Sequence, residues 1–461
     1  MSRRWLVRSL SVVAAAAAVV VVWWRGRPPE AVPASESSEP SEPNVVLITV
    51  DTLRADHLGC YGHPRPTSPH IDRMARKGVR YERALSQAPW TLPAMATVHT
   101  SLYPHEHGAI LAETRIADRL PTLAEVLGEA GYATYGVVSH TFVNRDHGFA
   151  QGFEVFDQSN VLGHDGVSSE GLTSRSLRFL RAHATNRAAE PFFLWVHYFD
   201  PHLTYVRHRN MGFASDPSGE LPERITGGML RKGRVGPKDL PYVKGVYDEE
   251  IAHTDDQIGA LMEGIENLDT QGNVLYAFTA DHGEYFLERG KWAHGRDCYR
   301  ELTHVPLILG GDIDEDLRGT VVETPVEARS IPTTVMELAG IESHPFGGTS
   351  LLDEQAWRGQ FRFTEGTRAW GKDDRKSCVV SDRYKLIRHL EDGREELYDI
   401  VRDRAERHDL LEQTDAELPK SLPSLRRAVD DHWTDGGEAA AKDNELSQRD
   451  KDHLRALGYV E

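Results

Sequence analysis

The sequence predicts an α/β protein, an α/β/α sandwich around a mostly parallel mixed sheet, with a smaller antiparallel α+β subdomain at the C-terminus. The first observation is a series of short, almost wholly apolar runs, which is typical of strands covered by helices on both faces. The second is the helical pattern between these runs. The predicted strands span residues 45–50, 134–138, 192–196, 274–279 and 305–309, and the predicted helices include 120–130, 173–184 and 249–268.

The third observation is a change of pattern after about residue 355. Residues 377–387 and 396–400 have the composition of strands, and the turn Glu391-Asp392-Gly393 lies between them. We therefore predict a main domain at 44–355 and a C-terminal subdomain with a polar tail at 356–461. Within the main domain, residues 207–240 are rich in Gly, Pro, Arg and Asp and are predicted to form a long loop or insertion without an assigned role.

The N-terminal segment 1–27 is expected to prefer lipid to water. Its uncharged stretch of 16 residues, 9–24, is intermediate in length between a secretory signal core and a membrane span of about 20 residues. Arginines flank it on both sides, which favours a retained membrane anchor over a cleaved signal. Residues 28–43, rich in Pro, Ser and Glu, predict a linker. The body is then exported, either anchored in the inner membrane and facing the periplasm or extracytoplasmic side, or secreted if the segment is cleaved.

Composition excludes two kinds of site. Lys and Arg total 53 against 71 Asp and Glu, a formal net charge of −18, so we expect no nucleic-acid partner held on a broad basic face. The three cysteines, Cys60, Cys298 and Cys378, are too few and too scattered for a disulfide framework or a cysteine zinc site. The length of 461 residues is ample for a full hydrophobic core.

Ionisable side chains follow two of the predicted strands, at the edge where ligands collect in α/β sheets. Asp51 follows Val50, and Asp281 and His282 follow Ala280. Two carboxylates and an imidazole at one edge repel one another or stay unsatisfied unless a cation neutralises them. Oxygen and nitrogen ligands suit zinc or manganese better than calcium, although all three ions stay open. For each residue alone, a loop or helix-cap role is the alternative.

Thr91 lies at a predicted helix N-cap with Pro93 in the first turn, where the helix favours anions. A metal ion bound to this hydroxyl favours the alkoxide and makes Thr91 a nucleophile toward phosphorus or sulfur. On local sequence alone, an ordinary capping threonine is the alternative.

Several blocks of sequence, in order along the chain, resemble the sulfatase family of the alkaline-phosphatase superfamily. The resemblance runs from about residue 44 to residue 411. The blocks are NVVLITVDTLRAD at 44–56, residues 67–72 with 78–80, SLYPHEHG at 101–108, TADHG at 279–283, and YKLI at 384–387 with ELYD at 396–399.

By position, the resemblance implies that Asp51, Thr91, Asp281 and His282 hold one divalent metal ion and that Thr91 is the nucleophile. The main sulfatases carry a cysteine or serine there, in the pattern C/S-x-P-S-R, which is converted to formylglycine. Here residues 91–95 read TLPAM, and threonine cannot become formylglycine because oxidation of its side chain would give a ketone. The set of proposed ligands resembles instead the metal sites of threonine-dependent phosphotransferases and phosphodiesterases of the superfamily. Met95 replaces an expected arginine or histidine.

The resemblance also suggests roles for further side chains. His202 matches a substrate-binding position, and His294 falls near the residue that protonates the leaving group, a step suited to a pKa near ambient pH. His197 is expected to support the site from its strand end. Asp255 is a candidate ligand of a second metal together with His294, but one metal is the expectation.

The expected function is therefore a metal-dependent hydrolase or transferase that acts on phosphate or sulfate esters through a metal-bound threonine. A true sulfatase that uses the threonine directly is one alternative. A catalytically silent, membrane-tethered binding protein is the other. The expected partners are a small anionic ester, a glycan or a lipid head group as substrate, and the membrane through the N-terminal segment.

Overall fold

A computed structural model of the chain describes residues 42–160, 168–216, 220–268, 273–366, 375–415, 417–433 and 445–451. The predicted anchor or signal segment at 1–27, and all but the last two residues of the predicted linker, lie outside these ranges. In the part of the chain that is described, no helix combines the length and the apolar character needed to span a membrane.

An eight-stranded sheet forms the centre of the protein. Its strands, in chain order, are β1 (Asn44–Val50), β2 (Val79–Tyr81), β3 (Ala133–Val138), β4 (Val155–Asp157), β5 (Phe192–Tyr198), β6 (Val274–Ala280), β7 (Leu307–Gly311) and β8 (Thr320–Val322). Their spatial order is β8-β2-β7-β6-β1-β5-β3-β4. Neighbouring strands are parallel except around β7, which is antiparallel to both β6 and β2. This confirms the predicted mostly parallel mixed sheet.

Strands β1 and β5 lie in the middle of this sheet, and every residue of both is buried. Apolar side chains point to both faces of such strands because helices cover both sides. The polar residues at their carboxyl ends are therefore the first groups along these strands that can reach a cleft.

Helices alternate with these strands. They are α1 (Pro69–Lys77), α2 (Thr91–Thr100), α3 (Pro104–His107), α4 (Leu123–Glu129), α5 (Ser169–Asn186), α6 (Gly227–Arg231), α7 (Leu240–Glu266), α8 (Arg300–Thr303), α9 (Ile331–Leu338), α10 (Glu354–Trp357) and α11 (Leu422–His432). The three predicted helices correspond to α4, α5 and α7, and α5 packs against α7. Helix α7 begins earlier than the predicted start at residue 249, because Pro241 fits its first turn.

Two-residue strands occupy several connections: Ala84–Leu85, Tyr205–Val206, Arg224–Ile225, Tyr285–Phe286, Trp292–Ala293, His304–Val305 and Val326–Glu327. The strand predicted at 305–309 is in fact divided. Its first part, His304–Val305, pairs with Ala84–Leu85, whereas β7 begins at Leu307 in the central sheet. Pro306 lies between the two parts and has no amide hydrogen to donate to a ladder.

The segment around 207–240 is more regular than a loop. Tyr205–Val206 pairs antiparallel with Arg224–Ile225, and α6 follows directly, with the side chain of Thr226 accepting a hydrogen bond from the Met229 amide. We call residues 205–231 the insertion hairpin, of which 217–219 lie outside the described ranges.

The C-terminal part forms a four-stranded antiparallel sheet of β9 (Arg362–Gly366), β10 (Lys376–Val380), β11 (Tyr384–His389) and β12 (Glu395–Asp399). Helix α11 packs on this sheet through Leu425 and Val429, against Val379, Leu386 and Leu397. The predicted antiparallel C-terminal element is confirmed, with β9 as an additional strand. The run predicted at 377–387 is divided into β10 and β11, which pair with each other across a turn at 381–383. The proposed domain boundary near residue 355 stays a prediction.

Candidate active site

Strands β1 and β6 bring the first ionisable residues together. The two strands are adjacent and parallel, with Val50 opposite Ala280. Asp51 and the pair Asp281-His282 therefore leave the sheet side by side at its carboxyl edge. Their side chains are almost completely removed from solvent, with 1% or less exposed.

Thr91 reaches the same edge from the beginning of α2. The helix starts at Thr91 with Trp90 as its N-cap residue, so Thr91 is one position inside the helix and not at the predicted N-cap. Its Oγ1 atom lies 3.3 Å from Nε2 of His282. The Thr91 hydroxyl thus faces His282 from the positive end of helix α2.

The ligand atoms are close enough to share one cation. Nε2 of His282 lies 3.2 Å from Oδ2 of Asp281 and 3.9 Å from Oδ1 of Asp51. One ligand atom from each of the three residues lies within 4.8 Å of the others. Metal–ligand bonds of about 2.0–2.2 Å bring two ligands of one ion to such separations. The structure therefore brings together all four residues predicted to bind the metal.

The hydrogen bonding of these residues fits a divalent cation. Neither carboxylate oxygen of Asp51 has a hydrogen-bond partner, and neither does Oδ2 of Asp281. Nδ1 of His282 lies 2.9 Å from the carbonyl oxygen of Gly283, to which it donates in the neutral ring, leaving the Nε2 lone pair directed at the acids. Buried, unpartnered carboxylate oxygens beside the unprotonated Nε2 of His282 fit the ligand preferences of zinc or manganese.

The remaining oxygen of Asp281 is fixed by the backbone. Oδ1 accepts hydrogen bonds from the amides of Thr52 at 3.0 Å and His282 at 2.7 Å. Thr52 adopts a positive φ of 52°, a strained conformation for a β-branched residue, and the hydroxyl of Tyr247 donates to its carbonyl at 2.7 Å. The strained turn after β1 thus positions one metal-ligand candidate.

Burial and like charge shift the pKa values of these groups. Burial raises the pKa of Asp51 well above its usual value, and the charges of Asp281 and Glu284 raise it further. Burial also raises the pKa of Asp281 to about 7. Burial, followed by the charge of His294, holds the pKa of His282 well below its usual value. Both carboxylates therefore resist ionisation without a cation, and His282 is neutral, as a metal ligand must be.

Two further histidines face the other oxygen of Asp51. Nε2 of His197 lies 3.4 Å and Nε2 of His140 lies 3.6 Å from Oδ2. His197 is held at the strand end by a 2.9 Å contact between its Nδ1 and Oγ1 of Thr49. This matches the supporting position expected for His197. His140 had no predicted role, although it lies two residues beyond the predicted strand at 134–138, which the structure pairs with β5.

His294 is the most accessible histidine beside these residues. Its ring centroid lies 4.4 Å from that of His282, and its side chain is 18% exposed. Nδ1 lies 3.1 Å from Oε1 of the buried Glu284, whose Oε2 accepts from the hydroxyl of Tyr205. Burial lowers the pKa of His294, but the charge and hydrogen bond of Glu284 outweigh it and raise the pKa overall. Glu284 was not predicted, although it directly follows the TADHG block.

His202 lies between the other histidine rings. Its ring centroid is 5.1 Å from that of His294 and 5.6 Å from that of His140. Nδ1 lies 2.7 Å from the carbonyl oxygen of Leu203. The candidate substrate-binding histidine is thus at the same cleft as the predicted nucleophile.

A cleft of about 890 Å³ opens above these residues. Its lining combines the candidate catalytic residues Thr91, His202 and His294 with aromatic side chains and parts of the insertion hairpin. The other lining residues include Trp90, His140, Phe142, Leu203, Leu230, Arg231, Lys291, Trp292 and Arg296. The volume accommodates a ligand considerably larger than a sulfate or phosphate group.

Met95 and Asp255, both singled out in the sequence, lie away from the proposed metal ligands. Met95 is completely buried in the hydrophobic core, so it supplies no polar contact to the cleft. Asp255 accepts hydrogen bonds from the amides of His70 at 2.9 Å and Ile71 at 2.8 Å. Both oxygens of Asp255 thus bind the beginning of α1, which accounts for this carboxylate without a second metal.

Comparisons with known proteins indicate the family of this chain. The family model described as Sulfatase matches residues 43–341. An arylsulfatase of Clostridium perfringens is 23% identical over 482 residues, which cover 86% of this chain and 97% of that protein. A Delta 4,5-hexuronate-2-O-sulfatase of Bacteroides thetaiotaomicron is 23% identical over 454 residues, covering 85% of this chain and 89% of the relative.

Solved structures share the fold. A protein in complex with its substrate D-glucosamine-2-N,6-O-disulfate has a TM-score of 0.71 at 19% identity, over 86% of this chain and all of the other. A phosphonate monoester hydrolase from Silicibacter pomeroyi has a TM-score of 0.64 at 19% identity, over 85% of this chain and 94% of that protein. At such identities, the likeness concerns the architecture.

Proposed function

The chain belongs to the sulfatase family of the alkaline-phosphatase superfamily and is a sulfuric or phosphoric ester hydrolase, and we propose that it acts through Thr91 at a single divalent-metal site. Asp51, Thr91, Asp281 and His282 are the proposed ligands. The observation that carries this proposal is the position of Thr91 Oγ1, 3.3 Å from Nε2 of His282 and beside carboxylates whose oxygens have no partner.

The proposed metal would be zinc, manganese or calcium, and the nitrogen ligand favours the first two. When bound, a divalent ion would neutralise the carboxylates, lower the pKa of the Thr91 hydroxyl and withdraw charge from an ester oxygen. The two carboxylates, with three of their four oxygens unpartnered, account for the need for two positive charges. The family comparison supports a divalent ion in general terms, since sulfatases are metal-dependent.

In the proposed reaction, Thr91 loses its hydroxyl proton to solvent, and its Oγ1 attacks the phosphorus or sulfur atom. A bond forms between Oγ1 and that atom, while the bond to the ester oxygen breaks. His294 gives its proton to the departing alcohol, because Glu284 holds the ring by Nδ1 and leaves Nε2 for the cleft. His202 donates a hydrogen bond to a non-bridging oxygen. Water, or a second alcohol, then displaces Thr91 and releases the group.

Threonine also sets this chain apart from relatives that use formylglycine. A secondary alcohol cannot give the aldehyde hydrate, so the group must be released by cleavage of an ester bond at Thr91. A covalent phospho- or sulfo-threonine is therefore the expected intermediate.

The decisive test is the pair Thr91→Ala and Thr91→Ser. With nitrophenyl sulfate, nitrophenyl phosphate and a nitrophenyl phosphodiester as substrates, we expect Thr91→Ala to lower kcat by on the order of a thousandfold or more. Thr91→Ser keeps the hydroxyl and should retain measurable turnover. Exposed Thr185 on α5 provides the control Thr185→Ala, with wild-type rates expected.

Metal content measured on the same samples separates the two roles of Thr91. Since three of the proposed ligands remain, Thr91→Ala should still bind a divalent ion. Unchanged turnover in Thr91→Ala would contradict the nucleophile. Wild-type protein purified and reconstituted without any bound divalent ion would contradict the metal site and favour a silent binding protein.

A true sulfatase that uses Thr91 directly is the second candidate. Met95, in the core, supplies no charge where an arginine or histidine is expected, and the candidate catalytic residues around Thr91 are histidines. A sulfate monoester carries less negative charge than a phosphate monoester, so a floor with few fixed cations favours it. The ratio of kcat/KM for the sulfate and phosphate esters decides between the two.

We propose an anionic ester or glycan as the substrate class, which is supported by the glucosamine disulfate in one structural neighbour and by the hexuronate sulfatase among the relatives. Export through the segment 1–27, with retention at the inner membrane or secretion, remains part of the proposal. Fractionation of cells that express the full chain tests it.

A further inference from the structure

The outer wall of the cleft carries three cations. Arg231 is the last residue of α6 in the insertion hairpin, whereas Lys291 and Arg296 come from the segment between β6 and α8. All three are exposed, unlike the buried Thr91 at the floor. Two separate stretches of chain thus place positive charge around the same opening.

These cations exceed the negative charge of the cleft lining. Its one carboxylate is the buried Asp297, which lies 2.7 Å from Nζ of Lys291 and 3.2 Å from Nζ of Lys376. Neither Arg231 nor Arg296 forms an ion pair with any residue in the described ranges. In a chain with a net charge of −18, this is a local region of opposite sign, which attracts anions.

The ester group under attack does not account for these arginines. In the proposed function, that group is held at the buried floor by the metal ligands and His202. The exposed guanidinium groups belong to the part of an 890 Å³ cleft that an isolated sulfate or phosphate leaves empty. They are therefore placed to contact the alcohol portion of a substrate.

Aromatic side chains indicate what kind of alcohol this is. Trp90 and Trp292 line the same cleft, and Trp90 is held edge-on against Phe142 with ring centroids 5.7 Å apart. Trp90 is only 3% exposed, whereas Trp292 is half-buried and more accessible. An aromatic side chain beside guanidinium groups suits a flat-sided, oxygen-rich ring that carries anionic substituents. A cleft of this size accommodates a short oligosaccharide.

Resting on the proposed function, we infer that the substrate is an oligosaccharide with at least two anionic ester groups: one is cleaved at Thr91, and another is bound by Arg231 and Arg296. This makes the two arginines specificity-determining residues. It also assigns a role to the insertion hairpin, which the sequence alone left without one.

The test measures binding and not turnover. Isothermal titration on the full chain in the Thr91→Ala background uses three probes: maltotriose, maltotriose sulfated at one position, and persulfated maltotriose. We expect persulfated maltotriose to bind at least about tenfold more tightly than the monosulfated probe, because charge-assisted contacts to the arginines add to the floor contacts. The preference should decrease as ionic strength rises.

Arg231→Gln combined with Arg296→Gln should abolish this preference while weakening the monosulfated probe much less. Arg427→Gln, an exposed arginine on α11 without an ion pair among the described residues, is the matched control and should keep it. An unchanged preference in the double variant would overturn the inference. Equal affinity for both sulfated probes in the Thr91→Ala protein with both arginines intact would also overturn it. Tighter binding to anionic phospholipid vesicles than to persulfated maltotriose would also overturn it, in favour of a lipid head group.

The two proposals fail separately. Turnover that survives Thr91→Ala overturns the nucleophile and leaves the binding preference intact. If the protein with both arginines intact shows no preference for persulfated maltotriose, the role of Arg231 and Arg296 is overturned, while the requirement for Thr91 is unaffected.

Discussion

Two buried clusters of this protein use the same kinds of side chain, and their hydrogen bonding differs. The cluster of His105, Glu365 and His432 joins α3, β9 and α11. Oε1 of Glu365 contacts Nδ1 of His105 at 2.5 Å and Nε2 of His432 at 2.9 Å, and Oε2 accepts from the His105 amide at 3.0 Å. At the candidate active site, by contrast, both oxygens of Asp51 and one of Asp281 have no such partner.

The difference separates a structural cluster from a functional one. Burial raises the pKa of Glu365, but the hydrogen bonds from His105 and His432 outweigh it, so the pKa lies below its ordinary value. The pKa of Asp51 is raised because burial, together with the charges of Asp281 and Glu284, outweighs the smaller lowering by Thr91. A carboxylate whose oxygens are all partnered stabilises the fold. One that is buried without partners destabilises it, which supports the proposed role of Asp51 and Asp281 as ligands of a cation.

The largest expected effect comes from removing one charge of the active-site cluster. Asp51→Asn should lower kcat/KM by about a thousandfold or more, because a neutral amide binds a divalent ion poorly. Metal analysis should show loss of the ion. Glu365→Gln is the matched control from the other cluster and should keep both metal and activity. Full metal occupancy in Asp51→Asn would remove the distinction between the clusters.

His294 sharpens the comparison because both oxygens of its partner Glu284 have hydrogen-bond partners, while the His294 ring lines the cleft. His294→Gln should lower kcat by roughly 10²-fold for esters of alkyl alcohols, which need a proton on leaving. For nitrophenyl esters, whose leaving group is stable without a proton, the loss should be much smaller. Equal losses for both substrates would show that His294 does not act as the acid.

Glu365→Ala tests the structural cluster directly. We expect the free energy of unfolding to fall by about 2–4 kcal/mol, because two buried imidazoles lose their acceptor. Denaturant titration of the metal-free protein measures it. The lowered pKa of Glu365 also gives the sign of its pH dependence: its contribution is present above its ordinary value of 4.5 and is lost as pH falls through the folded-state value. A stability of Glu365→Ala equal to wild type would contradict this role.

The smallest effect has the opposite sign. Without metal, Asp281→Asn should stabilise the protein by about 1 kcal/mol at pH 7.5, because it removes a buried charge that the fold does not compensate. Since the folded-state pKa of Asp281 is raised to about 7, wild-type stability should decline as pH rises from 3.8 toward 7, and the variant should lose that decline. Thermal melts with a chelator, at several pH values, measure it. An Asp281→Asn variant less stable than wild type would mean that neighbouring groups already stabilise the Asp281 carboxylate.

The central strands were predictable because burial on both faces leaves an unbroken apolar run, as in β1 and β5. The short strands β2 and β4 were not, since three residues give no periodicity to recognise. Pro306 was visible in the sequence, but its effect in dividing 305–309 between two sheets depends on the pairing of Ala84–Leu85, which is a tertiary contact.

The candidate site was predictable as far as it lies at strand ends and motif positions. Asp51 and Asp281 become neighbours because their strands pair in register, and a run of apolar residues indicates where each strand ends. His140 and Glu284 had no predicted roles, because the sequence does not show which way side chains beyond a strand end turn. The available signals were the position of His140 two residues after a predicted strand and that of Glu284 directly after the TADHG block.

In the proposed function, the insertion hairpin carries part of the selectivity at a distance from the chemistry. Its helix α6 lines one side of the cleft, whereas Thr91 lies at the start of α2. Tyr205 and Ile225 of the hairpin are buried in the main hydrophobic core, so exchanging the whole stretch would disturb the fold. Arg231, by contrast, is exposed, and single substitutions there could redirect the protein to new polymers during evolution at little risk to its folding.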